Sequence, residues 1–196
     1  MSCIEGGKKV FEDIQVNIGT NGLGWGIGLT ELKQKENEPL KYEGDKKAPI
    51  GVFTLDSIFG YEKEHNFKMP YLYATKELIC VDDSKSKYYN QIINIESLGE
   101  KEKPNSFEDM KRDDNQYALG IVVGHNKNQI KQRGSCIFIH VQKSENASTA
   151  GCTAMSMQNI KKIVNWLDES KNPILIQVPK EKLEQIKKLY PELPLD

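Results

Sequence analysis

Apolar runs fill the middle of the chain and predict β-strands. Segment 48–61, APIGVFTLDSIFGY, is a Pro/Gly turn followed by residues that favour extended structure. Two further β-rich runs, 117–126 (YALGIVVGHN) and 135–141 (SCIFIHV), are separated by Gly, Asn and Lys residues, so we expect neighbouring strands of one sheet. Segment 22–32, GLGWGIGLTEL, interleaves glycine with apolar residues, which predicts a strand that bends or closes against another backbone.

Helical spacing of apolar residues occurs only late in the chain. Ser156 is a predicted N-cap, and the apolar residues after it recur at helical spacing: Met157, Ile160, Val164 and Leu167. We expect a short strand at 172–178 and a second helix after Pro179, with an apolar stripe of Leu183, Ile186 and Leu189. Segment 98–116 is charged and weakly periodic, which favours a surface loop or a short helix.

Length and charge limit the classes of protein that fit. A chain of 196 residues suits one domain, 1–196. The 27 basic and 28 acidic residues give a net charge of −1, which argues against a nucleic-acid partner. No apolar stretch approaches the roughly 18 residues that would mark a membrane span. The first residues, MSCIEGGKKVFEDIQ, have no secretory leader pattern, so the sequence itself predicts no location.

The four cysteines predict neither a disulfide framework nor a zinc site. None forms a CxxC pair or a Cys/His cluster with metal-ligand spacing, and we expect no metal and no cofactor. Cys80 and Cys136 lie in apolar runs, where a cysteine is most often a small buried apolar side chain. Whether these two pair stays open at this point.

Cys152 is the candidate nucleophile. It follows Gly151, and His140 ends an apolar run shortly before it. A thiol is only a few per cent ionised near neutral pH, and a neighbouring imidazole is the usual means of activating it. A glycine beside the thiol lets a substrate carbonyl approach the backbone, and the N–H groups of Gly151 and Cys152 are candidate oxyanion donors. Spacing alone leaves a catalytic pair and an ordinary buried cysteine about equally supported.

Several ordered motifs resemble one family. The pattern GSCIFIHV…STAGCTAM is similar to the active-site signature of the L,D-transpeptidase catalytic domain (YkuD-like) family, in which a histidine on a strand precedes Ser/Thr-x-Gly-Cys. Upstream, YEGDKKAPIGVFTLDSIFGY, CVDDSKSKYYN and YALGIVVGHN resemble further family segments in the expected order, and the core motifs span about 40–178. The resemblance implies a mainly β fold, a sandwich or flattened barrel with peripheral α-helices.

The resemblance also implies a reaction on peptidoglycan stem peptides outside the cytoplasmic membrane, in the periplasm or cell wall. By this analogy Cys152 attacks the bond between the L-centre of the third stem residue and the terminal D-alanine, with His140 as the base. D-alanine leaves, and the resulting thioester passes to an amine as a 3→3 cross-link or to water as L,D-carboxypeptidase activity. A carbapenem is expected to acylate the same thiol.

The chain departs from the family pattern near the thiol. Many members have histidine or arginine before the Gly-Cys pair and arginine two positions after the cysteine, whereas this chain has Ala150 and Ala154. The guanidinium that would hold a substrate carboxylate is therefore missing from the position two residues after the cysteine. We expect the substrate-binding residues to be Thr149, His125, Ala150, Thr153 and Arg133.

Three rival functions remain open from the sequence. A general cysteine peptidase or amidase would use the same pair with an orienting Asn or Asp. A wall-binding domain without activity would keep the fold, although the intact His140 and Cys152 argue against it. A cytoplasmic redox protein with Cys152 as its sensor leaves the upstream motifs unexplained.

Overall fold

Most of the regular structure is extended. The computed structural model describes residues 1–30 and 32–195, so Glu31, within the predicted segment 22–32, and Asp196 lie outside the described residues. The strands are β1 (Cys3–Glu5), β2 (Lys8–Phe11), β3 (Leu23–Trp25), β4 (Ala48–Gly60), β5 (Tyr71–Tyr73), β6 (Leu78–Cys80), β7 (Ile92–Asn94), β8 (Glu108–Asp109), β9 (Leu119–Val123), β10 (Phe138–Val141), β11 (Thr153–Met155) and β12 (Ile174–Gln177).

The two α-helices lie where the apolar spacing predicted them. Helix α1 spans Met157–Trp166 and helix α2 spans Leu183–Leu189. The Ser156 hydroxyl accepts a hydrogen bond from Asn159 N at 3.3 Å, which confirms the predicted N-cap. Short 3-10 turns occur at Ile95–Ser97, Glu100–Glu102, Glu169–Lys171 and Lys180–Lys182.

The main sheet has the strand order β11-β10-β9-β4-β12, with β3 and β5 also paired to β4. Strands β9 and β10 are antiparallel, which confirms that the two predicted runs are neighbours. The sheet curls so that side chains of its two end strands come into contact, since Thr153 Oγ1 on β11 donates a hydrogen bond of 2.7 Å to Gln177 Oε1 on β12. The fold is therefore mainly β, a curled half-barrel with few helices, as the resemblance implied.

The two faces of the curled sheet pack into different cores. On one face, Ile121 and Ile139 pack with the buried residues of α1 in a large apolar cluster. On the other face, Phe59, Tyr117 and Phe138 form a second cluster that also contains Cys152. The small sheet β7-β6-β8 covers this second cluster. The predicted nucleophile therefore lies between the main sheet and the small sheet, away from α1.

The glycine-rich segment 22–32 closes against another backbone, as predicted. Strand β3 runs parallel to the start of β4. A Cβ atom on Gly28 would lie 2.1 Å from the Val52 carbonyl oxygen, so only glycine permits this approach.

Cys80 and Cys136 form a disulfide, a pairing that the sequence left open. They are 56 positions apart, and their Cα atoms lie 6.0 Å apart. The expectation of two separate, small apolar side chains is corrected, since two buried thiols in different runs give no local sign of their contact. The bond joins β6 of the small sheet to the segment that enters β10.

Candidate active site

The predicted nucleophile and base share one face of two adjacent parallel strands. His140 lies on β10 in register with Ala154 of β11. Cys152 is two positions before Ala154 and therefore lies opposite Phe138. Because side chains two positions apart share a face of a strand, Cys152 and His140 are diagonal neighbours on that face.

Hydrogen bonds to backbone fix the Cys152 thiol at the base of the site. Phe138 N donates to Sγ at 3.3 Å, and Sγ donates to the Cys136 carbonyl oxygen at 3.4 Å. The residue is only 8% exposed, and burial raises the pKa of the thiol to about 12, with the charge of Glu108 acting in the same direction. The resting thiol is therefore protonated at neutral pH.

His140 is held in the tautomer that a general base requires. Its Nδ1 lies 2.9 Å from the Val141 carbonyl oxygen. Because a carbonyl only accepts, Nδ1 carries the hydrogen and Nε2 keeps its lone pair in the neutral ring. Burial lowers the pKa of His140, so the ring is neutral at physiological pH. The Tyr117 ring packs edge-on against the imidazole at 5.3 Å.

The Thr149 hydroxyl supports the turn that carries the thiol. Its Oγ1 accepts a hydrogen bond from Gly151 N at 3.1 Å and donates one to the Cys152 carbonyl oxygen at 2.6 Å. Gly151 has φ +145°, and a Cβ atom there would lie 3.0 Å from the Lys47 carbonyl oxygen. The Gly151 N–H is therefore engaged within the turn, and its role as an oxyanion donor stays a prediction, as does substrate contact by Thr149.

The remaining predicted binding residues lie in different environments. Ala150 is exposed beside the thiol, whereas Thr153 is buried and bonded to Gln177 on the opposite face of the sheet. Arg133 is half-buried, and its Nε donates to the Lys41 carbonyl oxygen at 3.2 Å. Their contacts with a substrate stay predictions.

His125 bridges two backbone segments. Nδ1 accepts a hydrogen bond from Ile27 N at 3.3 Å, which leaves Nε2 to donate to the Arg133 carbonyl oxygen at 2.9 Å. Burial lowers its pKa to about 4, so the ring is neutral. Both ring nitrogens are occupied by backbone in this structure, and a direct contact with substrate stays a prediction.

A half-buried carboxylate near the thiol escaped the sequence reasoning. Glu108 lies on β8, inside the segment 98–116 that was predicted to be a surface loop or short helix. Tyr117 donates its hydroxyl hydrogen to this carboxylate, and burial raises the pKa of both side chains. The prediction for 98–116 was wrong here because β8 pairs with β6, a contact made far along the chain. The flanking apolar residues in SFEDM were the one available signal.

A buried cation was also missed. Lys41 is 3% exposed, and its Nζ lies 2.5 Å from Asp45 Oδ1. Its positive charge lowers the pKa of the Cys152 thiol, in opposition to Glu108. In the sequence, Lys41 lies in a run of charged residues that is indistinguishable from a solvated loop.

The arrangement offers acyl-transfer chemistry, with a thiol, an imidazole base and a positive charge at one place. Across residues 1–30 and 32–195, no group of three or more His, Cys, Asp or Glu side chains is arranged to hold a metal ion. Within the same ranges, no helix has the length and apolar character needed to cross a membrane.

Comparison with known protein families decides the relationship. The family model of the L,D-transpeptidase catalytic domain (YkuD) matches residues 1–176. The chain belongs to this family. No curated protein and no solved structure matches the chain. The family match covers the curled sheet, α1 and both members of the Cys152–His140 pair, and it supports a general L,D-transpeptidase-type function.

Proposed function

We propose that the protein is a peptidoglycan L,D-transpeptidase in which Cys152 attacks the stem tetrapeptide at the bond between its third residue and the terminal D-alanine. His140 is the general base. The observation that carries this proposal is the placement of the two side chains as diagonal neighbours on one face of β10 and β11. Membership of the family supplies the substrate class.

The first half-reaction begins from a neutral pair. Because burial disfavours both the thiolate and the imidazolium, proton transfer from Sγ to His140 Nε2 accompanies attack on the carbonyl carbon. The S–C bond forms, and the carbonyl oxygen becomes an oxyanion beside the Cys152 backbone N–H. The imidazolium then returns its proton to the amide nitrogen, the C–N bond breaks, and D-alanine leaves a thioester on Sγ.

The second half-reaction decides the product. An amine from a neighbouring stem attacks the thioester carbonyl, and His140 accepts its proton. The C–N bond forms, the C–S bond breaks, and His140 returns the proton to Sγ, which regenerates the thiol and leaves a 3→3 cross-link. The alternative is attack by water, which gives a tripeptide and makes the protein an L,D-carboxypeptidase. Both outcomes share the acyl-enzyme, so the same residues serve either.

The geometry of His140 favours this assignment over a general cysteine peptidase. Such an enzyme uses an Asn or Asp side chain to orient its histidine. Here the partner of Nδ1 is the backbone carbonyl of Val141, within the same strand. The strand itself therefore holds the ring.

The disulfide supports a location outside the cytoplasmic membrane. Disulfides persist in oxidising compartments and are rare in the reducing cytosol. The Cys80–Cys136 bond lies directly behind the carbonyl that accepts the Cys152 thiol hydrogen. We therefore place the reaction in the periplasm or cell wall, where the stem peptides are.

The test is to incubate the purified protein with tetrapeptide muropeptides and to follow the products by mass spectrometry. The parent protein should release D-alanine, and Cys152→Ala should not. Cys3→Ala is the matched control, because Cys3 is the other buried free cysteine and burial raises its pKa to about 11. Dimers identify a transpeptidase and monomeric tripeptides a carboxypeptidase. Unchanged tetrapeptide with the parent protein, or D-alanine release by Cys152→Ala, contradicts the proposal.

A further inference from the structure

Beside the turn that carries the nucleophile lies a buried ammonium group that the reaction described above does not use. Lys41 Nζ donates hydrogen bonds to the Tyr42 carbonyl oxygen at 2.9 Å and to Asp45 Oδ1 at 2.5 Å. The Asp45 carboxylate is itself held by the backbone N–H groups of Tyr42 and Lys47, at 2.8 and 2.9 Å. Because backbone fixes both partners, the ammonium has a defined position.

The Lys41 ammonium lies beside Gly151, the residue that precedes the proposed nucleophile. A Cβ atom built on Gly151 would lie 3.6 Å from Lys41 Nζ, and one on Gly134 would lie 3.1 Å from Lys41 Cε. The aliphatic part of the Lys41 side chain therefore passes Gly134, and its ammonium group lies beside the turn before Cys152. Both glycines leave room for the side chain.

One donor of the ammonium remains for a ligand. A lysine ammonium has three N–H donors, and within residues 1–30 and 32–195 Lys41 makes two hydrogen bonds. The side chain is 4% exposed, so a ligand that reaches it meets a charge largely removed from water. Such a charge acts more strongly on an anion than a solvated lysine does.

We infer that Lys41 binds the terminal carboxylate of the acyl donor. The inference rests on the proposed function, in which the carbonyl attacked by Cys152 is followed by a single D-alanine. The carboxylate of that residue is only three covalent bonds from the attacked carbon, so a cation beside Gly151 is within its reach. The flanking Ala150 and Ala154 carry no charge that would serve instead. Lys41 thereby selects donors that end one residue after the scissile bond.

Arg112 and Arg133 are bonded to protein groups, as Lys41 is, but both are more exposed to solvent than Lys41. Arg112 makes two hydrogen bonds with Asp114, at 3.0 and 2.9 Å. Arg133 directs its Nε at the backbone carbonyl of Lys41. Lys182 is the matched comparison, because it is also buried, at 5% exposure, and is paired with Glu38 by an ion pair of 2.8 Å.

The experiment measures binding without turnover. In the inert Cys152→Ala background, calorimetry compares a stem tetrapeptide that ends in free D-alanine with the same peptide ending in D-alaninamide. The acid should bind about 10- to 100-fold more tightly, which corresponds to one charge-assisted hydrogen bond. Adding Lys41→Met should remove the preference for the acid, whereas Lys41→Arg should keep most of it and Lys182→Met should leave it unchanged.

Two precautions make the result decisive. Lys41→Met leaves Asp45 without its partner, so the double variant Lys41→Met/Asp45→Asn is measured as well, with thermal unfolding as the check on folding. Equal binding of acid and amide by the starting protein overturns the inference, and so does a preference that survives in both Lys41→Met and Lys41→Met/Asp45→Asn. D-alanine release by the parent protein is scored separately. If the parent protein releases D-alanine but shows no preference for the acid, only the role of Lys41 is refuted. If the preference depends on Lys41 but the parent protein releases no D-alanine, only the proposed reaction is refuted.

Discussion

His140 and His125 are both buried and neutral, yet the structure uses them in different ways. His140 holds the Val141 carbonyl through Nδ1 and lies on the same face of the sheet as Cys152, where it is the proposed base. His125 uses both nitrogens to join two backbone segments. Burial therefore does not identify a catalytic histidine. The difference that supports the proposed role of His140 is its position beside the Cys152 thiol, on the same face of the sheet.

The two histidines belong to two regions with separate tasks. The proposed reacting pair is His140 with Cys152. The supporting framework is His125, Asn90 and Cys136, in which Asn90 accepts a hydrogen bond from Cys136 N at 2.9 Å and donates one to the His125 carbonyl oxygen at 2.9 Å. Changes in the first region should alter rate, and changes in the second should alter stability.

The largest effect is expected from His140→Asn. Without a base at this position, the rate of D-alanine release should fall by about 10²- to 10⁴-fold. The exposed His65 gives the control, and His65→Asn should keep the parent rate. Steady-state kinetics on tetrapeptide muropeptides measure both variants. Retention of the parent rate by His140→Asn would remove His140 from the reacting pair.

The next largest effect is expected from loss of the disulfide, which contains Cys136 of the supporting framework. Replacing both Cys80 and Cys136 by serine removes a cross-link over 56 positions, which should cost about 4 kcal/mol of the free energy of unfolding. Urea unfolding measures the loss, with Cys3→Ser as the control. A double variant as stable as the parent would show that the small sheet is held by its other contacts alone.

His125 should make the protein sensitive to acid. Its pKa is about 4 in the folded state and about 6.5 when unfolded, so the unfolded state binds a proton first as the pH falls. The stability that the neutral ring provides is complete above about pH 6.5 and is lost as the pH falls towards 4, by about 3 kcal/mol. Urea unfolding at pH 7 and pH 4.5 measures this change.

The control for this pH dependence is His125→Asn, which should lose stability at pH 7 but show a smaller fall between the two pH values. Carboxylates titrate in both proteins, so their contribution to the pH dependence of stability cancels when the two are compared. The same fall in both proteins would contradict the assignment of the acid sensitivity to His125. The lowered pKa of His140 acts in the same direction and is common to both proteins.

The smallest effect is expected at Thr149, where the two regions meet. Thr149→Val keeps the shape of the side chain but removes the hydroxyl that bonds Gly151 and Cys152. The free energy of unfolding should fall by about 1 kcal/mol, whereas Thr149→Ser, which keeps the hydroxyl, should lose much less. Urea unfolding measures both variants, and a loss in Thr149→Ser with none in Thr149→Val would mean that the methyl group, not the hydroxyl, supports the turn.

The sequence predicted the parts of the fold that depend on local pattern. Alternating and continuous apolar runs predicted β9 and β10 as neighbours, and helical spacing after Ser156 predicted α1. Ordered motifs led to the family and hence to the curled sheet. These signals can be detected in a single sequence because each depends on residues that are close together in the chain.

The rest of the site depends on contacts between distant segments. Glu108 reaches the site through the pairing of β8 with β6, and the disulfide joins two cysteines 56 positions apart. Lys41 becomes a buried cation only when Gly134 and Gly151 fold against it. No pattern in a single sequence distinguishes such charges from solvated ones, because their burial is a property of the folded chain.

The central claim is that Cys152 carries the acyl group, and the most direct test is to find that group on the protein. The protein is mixed briefly with tetrapeptide donor, quenched in acid, which preserves thioesters, and mapped by peptide mass spectrometry. We expect the donor minus D-alanine on the peptide that contains Cys152, and no such adduct in Cys152→Ala. Release of D-alanine while Cys152 stays unmodified and the acyl group appears on another residue would contradict the account.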